Sequence, residues 1–215
     1  MAEQDEQLKA LTEMRDLMNR SSRFLSLSGL SGIFAGCFAL CGAYYAWNYL
    51  RHYEYSQVRW LEGHDLFSLS LRAIVGDLPL FIDAALVILL SLASAWFFSA
   101  RKAKKAGIPF WDRTAWQMII NMAIPLATGG VFCFALLLHG ATGFIVPGTL
   151  IFYGLAVLNT SKYTLNDVRY LGLSEIALGL ISLLIQGYGL ILWSIGFGLL
   201  HIFYGVIMYF KYERR

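Results

Sequence analysis

Several almost uninterrupted apolar stretches of about 20 residues constrain this chain more than any other feature of it. A helix rises about 1.5 Å per residue, so roughly 20 apolar residues cover the ~30 Å hydrocarbon core of a bilayer. Charged residues make up only 14% of the chain, against about a quarter in an ordinary soluble domain, and they cluster between the apolar stretches. A soluble core is excluded. The expected fold is all-α: a polytopic membrane helix bundle of six transmembrane helices, arranged as three hairpins. The spans fall at about 24–50, 78–100, 114–138, 141–158, 168–186 and 188–210, which makes 24–210 one transmembrane domain with a tail at 211–215.

Local signals mark the ends of these spans. Tyr44, Tyr45, Trp47 and Tyr49 crowd the outer end of the first, where amphipathic rings suit the membrane–water boundary. In the long loop 51–77, Leu66, Phe67, Leu69, Leu71, Ile74 and Val75 point to a short interfacial helix that Gly76 ends. Asp77 and Pro79 then open the second span. Gly107 and Pro109 stop that span, and Asp112 is placed to cap the third. His139 and Gly140 make an outer turn, Thr164 and Asp167 resemble a capping box, and Gly187 with Gly189 turn the chain into the last span. Ahead of all this, residues 1–23 read as a cytoplasmic amphipathic helix with Leu8, Leu11, Met14 and Met18 on one stripe. Such a helix packs on the protein itself or the bilayer surface, or else docks a protein partner.

Orientation follows from Lys and Arg. One side of the proposed membrane holds 14 of the 17, and the other holds Arg51, Arg59 and Arg72. Basic residues are retained in the cytoplasm, so both termini are expected inside. The opening Glu3, Asp5 and Glu6 do not resemble a signal peptide. The Asn-x-Ser matches at Asn19 and Asn159 then lie inside and carry no glycan. The three cysteines, Cys37, Cys41 and Cys133, fall in apolar stretches and suggest no disulfide framework.

Short identities recur along the chain. Cys-Phe-Ala-Leu occurs at 37–40 and 133–136, and Ile-Phe-Tyr-Gly at 151–154 and 202–205. Gly29-Leu30-Ser31 with Ile33 and Gly36 is echoed by Gly172-Leu173-Ser174 with Ile176 and Gly179. Each pair lies in spans of the same direction. Three helical hairpins related by an axis near the membrane normal account for that.

Lipid gives helices no hydrophobic reason to associate, so close packing depends on small residues. Ser28, Gly32, Gly36, Ala39 and Ala43 form such a stripe on the first span, which suits a tight contact within the chain better than a dimer site. Gly179 belongs to a similar face of the fifth span. Ser194, Gly198 and Gly205 repeat the device on the sixth. Pro125 frees the carbonyl of Asn121 and should kink the third span.

Ionisable groups within a span are costly and tend to be internal. The candidates for a ligand site or a buried polar network are Glu175, His201, Asn121 and Gln117. Glu175 and His201 lie on the small-residue faces of adjacent antiparallel spans, offset by about one turn. His201 lies roughly 15 Å inward from Lys211 at about 1.5 Å per residue. Asp83 and His139 read as interfacial residues reached by water. No set of side chains completes a metal site, no cofactor motif occurs, and nothing indicates nucleic acid; the bilayer is the one partner the composition demands.

The stretch Gly196-Phe197-Gly198-Leu199-Leu200-His201-Ile202-Phe203-Tyr204-Gly205, with Tyr209-Phe210-Lys211-Tyr212-Glu213, resembles a family of uncharacterised six-span bacterial inner-membrane proteins. The segment from Ser22-Arg23-Phe24 to Gly36 resembles it too. The resemblance implies a bacterial inner-membrane location and brings no activity. Three classes of function fit the sequence: a non-enzymatic scaffold or regulatory partner first, a small-solute or ion transporter or channel-like protein second, an enzyme third. The enzyme ranks last because the cytoplasmic loops hold no His, and no HExxH, GxSxG or P-loop pattern occurs.

Overall fold

The computed structural model describes residues 7, 27–57, 78–185 and 187–214. Apart from Gln7, the amphipathic segment at 1–23 lies outside the described residues, as do the interfacial helix expected within 58–77 and its boundary residues Gly76 and Asp77. The described residues are helical, with no strand among them. We number the helices α1 (Gly29–Gln57), α2 (Leu78–Ala106), α3 (Arg113–Leu138), α4 (Ile145–Thr160), α5 (Val168–Leu184) and α6 (Gly189–Tyr212). Five stretches are long and apolar enough to cross a membrane: Gly29–His52, Leu78–Ala106, Arg113–Leu138, Thr142–Tyr163 and Gly189–Tyr212.

The helix ends show which local signals act. The Asp112 carboxylate accepts from the Ala115 amide at 2.6 Å and caps α3. Gly107, Gly140 and Gly187 take φ of 67°, 70° and 87°, a left-handed backbone that suits glycine at helix exits. At the start of α5, where Thr164 and Asp167 resemble a capping box, Asp167 is engaged otherwise. Asp167 is the residue before α5, and its side chain makes no cap bond. Its carboxylate is taken instead by Lys211 Nζ at 2.7 Å and the Tyr212 hydroxyl at 3.0 Å. The Lys211 hydrogen bond in particular holds the Asp167 carboxyl below its ordinary range. α2 runs past the expected Ala100 to Ala106, because its terminal Lys104 and Lys105 complement the helix dipole.

The helices form an open row. α3 packs on α4, α4 on α5, and α6 on α1, which in turn carries α2; α6 also touches α4 and α5. α2 and α3 make almost no contact with each other.

Two of the contacts are built alike. A Cβ added to Gly205 would lie 2.7 Å from Gly29 O and 2.7 Å from Ile33 N. A Cβ added to Gly154 would lie 2.7 Å from Gly172 O and 2.8 Å from Ile176 N. One turn further, a Cβ on Gly36 or on Gly179 would come within 3.0 Å of the amide nitrogen of Ile202 or Ile151. Each Ile-Phe-Tyr-Gly segment thus crosses one Gly-Leu-Ser segment, α4 on α5 and α6 on α1, with backbones too close for any side chain. A threefold arrangement of hairpins would give a third such contact between α2 and α3, and there the row is open.

The C-terminal end of α6 ties the row together. Glu213 accepts from the Gly29 amide at 2.5 Å and from the Ser28 hydroxyl at 3.1 Å, and so caps α1 from the far end of the chain. Lys102 Nζ of α2 lies 3.5 Å from Glu213 and donates to Leu27 O at 2.7 Å.

Candidate functional site

Glu175 is on α5, and its small neighbours Gly172 and Gly179 bring α4 against the same face. The carboxylate is fully buried and His201 is 7% exposed. His201 Nδ1 lies 3.4 Å from Glu175 Oε1 and 3.0 Å from Gly196 O. On the other side of the ring, Nε2 lies 2.6 Å from the Tyr153 hydroxyl of α4. The site is therefore a chain of three groups from three helices: carboxyl, imidazole, phenol. Neither oxygen of Glu175 has a hydrogen-bond partner. A buried group in that condition is costly in an apolar interior.

α6 is deformed where it meets this carboxyl. Ser194–Leu200 is a π-helix, a wide turn that is rare and concentrates at functional positions. It carries Gly196 and Gly198. A Cβ on Gly196 would stand 2.5 Å from Glu175 Oε2, so only glycine lets the backbone approach the carboxyl. On its other flank, the notch at Gly198 receives Leu40 of α1. Aromatic rings enclose the imidazole: Phe197 lies nearly parallel to it at 5.9 Å between centroids, and Tyr153 packs on Phe197 at 4.7 Å.

Of the residues singled out from the sequence, Glu175 and His201 come together. Gln117 and Asn121 do not join them. Gln117 is exposed on α3, and its backbone carbonyl accepts from Asn121 Nδ2 at 2.8 Å. Asn121 pairs with α4 instead: Asn159 Nδ2 donates to Asn121 O at 2.9 Å and lies 3.3 Å from its Oδ1. The helix that completes the cluster is α4, through Tyr153. A tyrosine inside an apolar span reads as packing, so only its place next to the repeated glycine could have drawn notice. Ser28, Gly32, Gly36, Gly198 and Gly205 all lie at the α1–α6 contact or its capped end, and Gly179 lies at the α4–α5 contact.

The two alike contacts allow a comparison inside the molecule. Counting from the matched segments, Gly32 stands in α1 where Glu175 stands in α5, and Leu150 stands in α4 where His201 stands in α6. The α4–α5 crossing thus carries Leu150 with Glu175, and the α1–α6 crossing carries His201 with Gly32, so each is built with one of the two polar groups and without the other. The crossing geometry therefore does not depend on an acid at the first position or on an imidazole at the second.

An apolar groove of about 240 Å³ between α1 and the N-terminal end of α6 is lined by Leu40, Ala43, Tyr44, Trp47, Leu190, Ile191 and Ser194, and includes none of the three cluster residues. No group of three or more His, Cys, Asp or Glu side chains able to hold a metal occurs among the described residues. Comparison of the chain with protein-family models, with curated proteins and with solved structures gives no match.

Proposed function

We propose that this chain is a small, non-enzymatic, six-span protein of the bacterial inner membrane that moves an ion, with Glu175, His201 and Tyr153 as its working site. The observation that carries this reading is the buried Glu175 carboxyl, without a hydrogen bond at either oxygen, at a crossing that its sister copy builds without it. An intramembrane ionisable residue marks a functional site by default, ion and proton pathways among them, and here it stands beside a π-turn and a titratable ring.

The sixth span in this reading is α5. Its 17 residues reach only ~26 Å at about 1.5 Å per residue. It nevertheless runs alongside α4 from the level of Leu158 to that of Ile151 and beyond, and α4 lies in a stretch long enough to cross. With six spans, the excess of Lys and Arg places both termini in the cytoplasm. The resemblance of the 196–213 and 22–36 segments to bacterial inner-membrane proteins supports the location.

The test is ion flux in liposomes that hold a pH-sensitive dye, with pH, sodium and potassium gradients imposed in turn. Flux above that of protein-free liposomes, abolished by Glu175→Gln, is the expected result. Background flux under every gradient rejects the reading. The second reading, a scaffold or regulatory partner, draws on α2 and α3, which turn nearly their whole spans outward. It expects a stoichiometric partner chain after gentle solubilisation, together with background flux.

A further inference from the structure

We propose that the ligand of the buried site is the proton, and that Glu175 and His201 hold one exchangeable proton between them. The inference rests on reading this cluster as the working site, and it names the species that the site takes.

The contacts of His201 limit how the proton can be held. Gly196 O is an acceptor only, so Nδ1, 3.0 Å away, carries a hydrogen and donates it. Nε2 then either accepts from the Tyr153 hydroxyl or, when protonated, donates to its oxygen. A pair with no net charge can be written two ways: carboxylic acid beside neutral imidazole, or carboxylate beside imidazolium. Both carry one proton more than carboxylate with neutral imidazole, the state that would leave a bare charge inside the bundle. The titratable groups facing Glu175 are His201 from α6 and Tyr153 from α4. Neither supplies a fixed positive charge.

A metal cation fits the site poorly. Hard cations require several oxygen ligands at once. Around the carboxyl stand Gly196, the apolar end of Leu150 and a ring nitrogen that already donates elsewhere. Gly196 approaches so closely that a single carbon added to it would overlap Glu175 Oε2. A proton needs no such space.

The experiment is an infrared pH titration of the purified full-length protein in detergent, read on the carboxyl and imidazole bands and repeated in sodium and in potassium chloride. One carboxyl–imidazole signal that titrates as a unit, loses one proton per chain in Glu175→Gln, and ignores the choice of cation is expected. A Glu175 signal that shifts with sodium or potassium at fixed pH, or shows no coupling to His201, overturns the proposal. The double variant Glu175→Gly with His201→Leu places at each position the residue that its counterpart in the other crossing carries, Gly32 and Leu150, and is expected to stay folded while losing the signal. A titration retained in that variant also overturns it. Proton binding without liposome flux would refute ion movement and leave the proton site standing; flux without proton binding would do the reverse.

Discussion

Asn159 shows how a single side chain repairs a defect written into the sequence. Pro125 lacks the amide that would bond Asn121 O four residues earlier, and in lipid no water replaces it. Asn159 Nδ2 reaches across from α4 to that carbonyl. Asn159→Leu is therefore expected to cost about 1–3 kcal/mol, the penalty for an unsatisfied buried acceptor. Pro125→Ala restores an amide N–H, so in that background the same change should cost well under about 1 kcal/mol, given that contacting sites couple. Denaturation midpoints of the four proteins in one detergent give the answer. Equal costs in both backgrounds would mean that Asn159 acts elsewhere. The defect was legible in the sequence, because proline dictates which carbonyl it frees. Its partner was not, since one sequence does not say which helix lies alongside. The same limit explains why Glu175 and His201 could be paired by spacing on neighbouring helices, while Tyr153, which comes from a third helix, could not.

At the scale of the element, the glycines decide which helices touch. Gly29 and Gly205, and Gly154 and Gly172, meet backbone to backbone, so any side chain there must push two helices apart. Gly154→Leu and Gly205→Leu should each lose at least about 1–3 kcal/mol, the ordinary cost of overpacking. Gly130 on α3 has nothing within 4 Å of an added Cβ. Gly130→Leu should stay within about 0.5 kcal/mol of the parent, as exposed substitutions do. Thermal unfolding in detergent ranks the three. A Gly130 variant as unstable as the other two would place α3 against a neighbour that the fold does not show. The recurring four-residue segments were visible in the sequence as pairs. That each Ile-Phe-Tyr-Gly crosses a Gly-Leu-Ser segment could not be seen there, because similarity along a chain does not reveal contact across it.

For the whole molecule, the apolar stretches made the helical class plain, since length and hydropathy are local properties. The open row was not legible: α2 and α3 are as apolar as their neighbours, and only packing separates an inner helix from an outer one. Topology is checked directly. Reporters fused after Arg215 or inserted at Lys104 should read cytoplasmic, and one at Gly63 external. A C-terminal reporter reading external would mean that α5 does not cross.

The capping of α1 by Glu213 also sets an order in time. Gly29 and Glu213 stand 184 positions apart in the chain, yet they share a hydrogen bond. At about 5–20 residues per second, the ribosome needs roughly 10 to 40 s between them. Throughout that interval the glycine face of α1 stays uncovered, since α6, the helix that fits it, has not yet been made. α4 and α5, neighbours in sequence, can close as soon as both exist. Of two interfaces with the same architecture, one assembles locally as soon as two successive helices exist, while the other waits until α6 has been made. The young protein therefore passes through a half-assembled stage in which α1, with α2 beside it, awaits α6, and it is in this stage that a membrane chaperone or a protease would find it.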